Sequence, residues 1–198
     1  MDDIFILGFV AFLSLPLAGF LCKFLDEIVD EKYPIPNYIT IPVIFFIGGF
    51  CGIAGIIDDV IAGIFLAYII GLTLANKVDN WRHGLSAVLI VGIIILGRLF
   101  FGKMVITPFI FILGSLITLG IFLDEIVHNY IEQSPYNRFQ VLKIRPILKI
   151  EALILTVVFP QFTLFYALAM WLFDLVYELT RIQIHRHLRQ ISEAPIPF

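Results

Sequence analysis

Apolar residues in this chain come in long runs, each closed by a short charged stretch. The first run, from about Ile4 to Lys23, has the ~20 residues that a membrane-crossing helix needs. Pro16 inside it predicts a kink. Leu25 to Asp30 carry the helix into the interface, and Lys32-Tyr33-Pro34-Ile35-Pro36-Asn37 ends it, because two prolines remove donors and fix φ. From Ile39 to Ala75 the chain is apolar for 37 residues, interrupted only by Asp58-Asp59. That is too long for one span and predicts two spans joined by a tight turn. Gly48, Gly49, Gly52 and Gly55 in its first half suit close helix packing. A polar loop from Asn76 to Gly84 precedes a fourth span, about Leu85 to Phe100, and Val105 to Leu123 forms the fifth. The most polar loop, Asn129 to Lys149, leads into a final run of 30 residues, Ile150 to Leu179. Pro160-Gln161 within it predicts either one kinked span or two shorter segments.

Lysine and arginine positions separate those alternatives. With seven segments, one side of the membrane carries Lys23, Lys32, Lys77, Arg82, Arg138, Lys143, Arg145, Lys149, Arg181, Arg186 and Arg189, and the other only Arg98 and Lys103. Eleven against two is a strong positive-inside bias, whereas six spans give eight against five. The sequence therefore predicts an all-α polytopic transmembrane bundle of about seven segments, six if the last run is one kinked span. The N-terminus lies outside and the C-terminus in the cytoplasm. The basic, Ile/Leu-bearing tail from Arg181 to Arg189 then continues the last helix or lies on the inner surface, where it meets anionic lipid.

Composition makes the bilayer obligatory. Hydrophobic residues are 60% of the chain, mean hydropathy is +0.99 and charged residues are 15%, against ~45–50% apolar in soluble domains. No water-soluble core of 22.5 kDa absorbs that surface. Met1-Asp2-Asp3 lacks the basic start of a signal peptide, so the first run reads as a retained span. Cys22 and Cys51 sit inside apolar runs and make neither a disulfide framework nor a zinc pattern. The partners implied are the lipid bilayer and a lipid phosphate rather than nucleic acid; the oligomeric state is not legible.

One hexapeptide occurs twice. Phe24-Leu25-Asp26-Glu27-Ile28-Val29 returns as Phe122 to Val127, 98 positions later in a chain of 198. Each copy sits where an apolar run meets a charged loop. Internal duplication, with halves 1–98 and 99–198, is the natural reading; convergence of two interfacial helix ends is the other.

On this topology three helices end at the inner face with acids: Asp26, Glu27, Asp30 and Glu31 on the first, Asp124, Glu125 and His128 on the fifth, and Asp174 and Glu178 on the last. Glu27/Asp30 and Glu125/His128 are three apart, so each pair shares a helical face. Glu-x-x-His is the pairing that helix bundles use to hold two metal ions, and Mg²⁺ or Mn²⁺ suits such oxygen-rich sets. The expected metal ligands are therefore Asp26, Glu27, Asp30, Asp124, Glu125, His128, Asp174 and Glu178. Solvated interfacial acids, some paired with Lys or Arg, are the plainer alternative.

Asp58-Asp59 needs water, a metal or a cation nearby, and a hairpin turn at the outer surface supplies water. Gly52-Ile53-Ala54-Gly55-Ile56-Ile57-Asp58-Asp59-Val60-Ile61-Ala62-Gly63 also resembles the Asp-Asp-x-x-Ala-Gly motif of phosphatidylglycerophosphatase A, over about a dozen of 198 residues. The resemblance implies a magnesium-dependent membrane phosphatase acting on a lipid phosphate, with Asp58 and Asp59 catalytic and Asp26-Glu27 as the family's earlier acidic pair. The interval between the two acidic motifs is shorter than the family's. The charge count also puts Asp58-Asp59 on the opposite side from Asp26-Glu27, unless residues 39–57 are re-entrant.

Two function classes follow. The first is a divalent-cation-dependent enzyme on a lipid or polyprenyl phosphate at the inner face, with Arg181, Arg145 or Lys149 clamping the phosphate. The second is a small cation- or proton-coupled transporter or channel, which duplicated halves and helix glycines suit. A non-catalytic membrane subunit is a third reading that nothing specific supports. The chain has no phosphate-binding glycine loop, His-Glu-x-x-His motif or serine elbow.

Overall fold

The computed structural model describes residues 2–29, 37–132 and 146–193. They form seven helices: α1 (Asp2–Val29), α2 (Asn37–Ile57), α3 (Asp59–Leu74), α4 (Trp81–Phe100), α5 (Pro108–Glu132), α6 (Pro146–Val158) and α7 (Leu164–Glu193). There is no strand among the described residues. Four helices, α1, α2, α4 and α5, are long and apolar enough to cross a membrane. Phe45, Phe46, Val88, Leu96, Phe111 and Leu119 point outward, each more than half exposed. Such a surface is stable only against lipid. The protein is membrane-embedded.

The helix ends follow local chemistry. Asp58 adopts an extended conformation (φ −126°, ψ 128°) that stops α2, and its side chain accepts from the amides of Val60 and Ile61 to start α3. The 37-residue apolar run thus splits where the sequence carries its only acids. α3 ends in a Schellman turn: Asn76 takes the left-handed conformation (φ 57°), and the Lys77 amide reaches back to Leu72 O at 2.9 Å. α4 ends the same way with Gly102 (φ 66°) and Lys103 N to Arg98 O at 2.8 Å. The last apolar run divides at Phe159–Thr163, beside Pro160, so it is two helices and not one kinked span. α6 has only 13 residues.

α1 packs most extensively along α7, α2 along α4, and α3 along α5, while α6 bridges α5 and α7. Glycines make the closest approaches. A Cβ on Gly19 would lie 2.5 Å from Phe173 O on α7, and one on Gly48 2.5 Å from Leu89 Cβ on α4. Gly52 and Gly55 face Ile93 and Ile94, whereas Gly49 faces open space. The expected packing role thus belongs to three of the four α2 glycines.

The repeated hexapeptide is helical in both copies but buries different faces. Leu25 and Ile28 are buried, while their counterparts Leu123 and Ile126 are exposed. α1 lies between α7 and α2, and α5 between α3 and α6, so identical residues meet different neighbours.

Candidate functional site

Six helices leave a cavity of about 450 Å³ between their charged ends, a usual size for a small-molecule site. Its floor is apolar, with Ala18, Ile47, Phe65, Ile90 and Phe173. Its wall and rim are ionic, with Lys23, Asp26, Lys77, His83, Glu125, His128, Glu178 and Arg181. Both cysteines, Cys22 and Cys51, line it.

Asp26 is the hub. Lys23, one turn earlier on α1, places Nζ 2.7 Å from Asp26 Oδ2 and 2.9 Å from Glu27 Oε1, as (i, i+3) and (i, i+4) geometry allows. The Tyr177 hydroxyl of α7 donates to Asp26 Oδ2 at 2.9 Å. His83 of α4 brings Nε2 to 3.6 Å from Asp26 Oδ1, an ion pair when the imidazole is protonated. One carboxylate thereby ties α1, α4 and α7 together at the cavity wall. Glu27 is fully buried, and its second oxygen lies 3.4 Å from His185 Nε2.

The α3 Schellman turn swings Lys77 to the rim, where Nζ is 3.8 Å from Glu125 Oε2. This is the longest of the lysine–carboxylate pairs here, and the Lys77 side chain is 39% exposed. Of the described cations, Lys77 is therefore best placed to turn toward a ligand. Arg181 pairs with Glu178 at 2.8 Å on α7, and Lys149 with Asp174 at 3.1 Å between α6 and α7. Asp124 faces away from the cavity and caps the neighbouring helix: its two oxygens accept from Ile147 N (3.0 Å) and Leu148 N (2.7 Å) of α6.

The residues singled out from sequence thus have distinct placements. Asp26, Glu125, His128, Glu178 and Arg181 meet at one cavity. Glu27, Asp124, Asp174 and Lys149 lie at the same end of the bundle, engaged as above. Asp30 and Arg145 lie outside the described residues. Asp58 and Asp59 occupy the other end. The Tyr166 hydroxyl donates to Asp58 Oδ2 at 2.5 Å, and Arg98 Nη2 contacts Asp59 Oδ1 at 2.5 Å. Tyr166 and Tyr177 are eleven residues apart on α7, about 16 Å at 1.5 Å per residue. The two acidic motifs are therefore held at opposite ends of the bundle.

Asp58 and Asp59 serve there as structural ties. Burial raises the Asp58 carboxyl, while Tyr166 and the two amides it caps act in the opposite direction. Arg98 is almost wholly buried; it also donates to Met104 O (2.9 Å) and Gly55 O (3.2 Å). Lys103 Nζ reaches Ile56 O at 3.1 Å, satisfying the carbonyl end of α2.

The carboxylates expected to hold Mg²⁺ or Mn²⁺ are not gathered as a cage. Among the described residues no three His, Cys, Asp or Glu side chains group as a metal site, and Lys23, Lys77, Lys149 and Arg181 stand beside the acids. The arrangement offers instead an imidazole backed by a carboxylate, cations at a rim and an apolar pocket beneath. No protein-family model matches the chain, and no curated protein or solved structure matches it either.

Sequence reasoning left out Lys23, Lys77, His83 and Tyr177. Lys23 was readable, since it stands three and four residues before Asp26 and Glu27 on a helix. His83 and Lys77 belong to the loop on the acidic side, but only the α3 turn and the α4 start bring them to the cavity.

Proposed function

We propose that this integral membrane protein is an enzyme that takes a lipid phosphate into the cavity at its charged end, with that end facing the cytoplasm. The observation that carries the reading is the cavity itself: an apolar floor for a lipid chain lies beneath a rim where Lys77, Arg181 and the His83–Asp26 pair converge. An amphipathic anion fits both parts, its chain among Ile47, Phe65 and Phe173 and its headgroup beside Lys77. The eleven-to-two distribution of basic residues supports the orientation.

In this reading the Asp26 carboxylate stands beside His83 Nε2, 3.6 Å away, and Nδ1 is left to exchange a proton with the reacting group. Lys23 and Tyr177 hold Asp26 in place. Lys77 offsets the charge of the phosphate oxygens.

Phosphate release measured on protein in mixed micelles containing phosphatidic acid or a polyprenyl monophosphate tests this. Wild type is expected to turn over at least one of them, and His83→Gln to lower kcat by about 10²-fold or more with KM little changed. If His83→Gln and wild type are equally active, His83 is not the acid–base group. If neither lipid is turned over or bound, the lipid-phosphate reading is abandoned.

A further inference from the structure

Outside the cavity, one carboxylate stands in the seam between α5 and α6 with no counter-ion among the described residues. Glu151 of α6 lies over Gly120 of α5 so closely that a Cβ on Gly120 would overlap its Oε2. That oxygen is buried and has no hydrogen-bond partner. Asp124 of α5 is the nearest charge to act on Glu151, and it is another acid, with both oxygens on the α6 amides. Lys149, two residues earlier on α6, turns toward α7 and pairs with Asp174. The neighbours on α6 are apolar: Leu148, Ala152 and Leu155 are buried, and Ile150 and Ile154 face outward.

An ionised carboxylate there has one oxygen, Oε2, buried without a hydrogen-bond partner, and another acid, Asp124, acts on it. The neutral acid has no such penalty. We propose that Glu151 is a proton-binding site at the α5–α6 seam, its carboxyl giving up a bound proton as pH rises. Gly120 leaves the space that the carboxyl occupies, and a side chain there would displace it. Its ligand is a proton and it shares no residue with the cavity, so this site stands or falls separately from the lipid-phosphate reading.

Infrared difference spectroscopy of the full chain in lipid nanodiscs, wild type against Glu151→Gln, tests the assignment. At pH 7 wild type is expected to show a protonated-carboxyl C=O stretch that Glu151→Gln lacks. The band should disappear as pH is raised, and Glu151→Gln, which mimics the neutral acid, should unfold within a few degrees of wild type. Dicyclohexylcarbodiimide gives a second readout. The carboxyl proton passes to a carbodiimide nitrogen while the carboxylate oxygen bonds to its central carbon, and acyl migration to nitrogen then fixes the label. Peptide mass spectrometry should find Glu151 labelled, with labelling falling severalfold between pH 7 and pH 9. Equal C=O bands in wild type and Glu151→Gln at pH 7 overturn the proposal, as does labelling of Glu151 that is indifferent to pH.

Discussion

Replacing Lys23 by methionine removes the cation that two carboxylates share at the cavity wall. Lys23 is 8% exposed and Glu27 fully buried, so solvent offers little relief. Asp26 keeps the Tyr177 hydrogen bond and the His83 contact, but among the described residues Glu27 keeps only His185 at 3.4 Å. The loss therefore falls on Glu27. Removing one partner of a buried pair costs about 3–5 kcal/mol, whereas replacing both by packed neutral groups is often neutral. Lys23→Met is thus expected to lose about 3–5 kcal/mol, and Lys23→Met/Glu27→Gln to recover most of it. Unfolding in mild detergent, followed through Trp171, whose indole N–H donates to Lys149 O, gives both numbers. A single variant within about 1 kcal/mol of wild type, or a double variant no better than the single, would refute the claim that Lys23 neutralises a buried Glu27.

Three other outcomes are expected by the same assay. Gly19→Ala should be strongly destabilising, by about 2–3 kcal/mol or more, because its Cβ meets the rigid Phe173 backbone, while Gly49→Ala should be neutral or up to about 1 kcal/mol more stable; equal effects would discount the glycine contacts. Arg98→Met should cost about 2–4 kcal/mol by stranding Gly55 O and Met104 O, and a loss below ~1 kcal/mol would show that water reaches those carbonyls. Asp58→Asn, which still caps α3 through Oδ1 and can donate its amide N–H to the Tyr166 oxygen, should stay within about 1 kcal/mol, whereas Asp58→Ala should lose about 2–4 kcal/mol; if the two variants fall together, the charge of Asp58 matters more than its hydrogen bonds.

The helix boundaries were legible because long apolar runs are visible in the sequence, although only four of the seven helices meet the length rule for a membrane span. Pro160 and the Asp58 turn marked the two places where a run had to be divided. Which acid meets which partner was not legible, since those choices depend on residues far apart in the chain. Asp59 is tied to Arg98 and Asp58 to Tyr166, 39 and 108 positions away, and no local pattern announces either. The two hexapeptides make the same point from the other side: identical residues bury Leu25 but expose Leu123, because burial is set by the neighbouring helix. The cavity was half legible. Acids on three helix ends pointed to one face, but Lys77 and His83 reached the rim through a left-handed Asn76 and the Asn80 cap of α4, which residue spacing does not encode.

The central claim is that the cavity at the charged end takes an amphipathic anion, and a single cysteine on its wall tests that most directly. Ala87 lines the cavity on α4, one turn beyond His83. Ala87→Cys, in a chain carrying Cys22→Ala and Cys51→Ala, places the sole thiol there. Its rate of alkylation by a small maleimide is measured in micelles containing phosphatidic acid and, separately, diacylglycerol with the same chains. The expected result is a rate at least several-fold slower with phosphatidic acid than with diacylglycerol, and loss of that protection when Lys77→Gln is added. Equal rates with the two lipids would mean that the cavity does not select a phosphate headgroup, and would contradict the account.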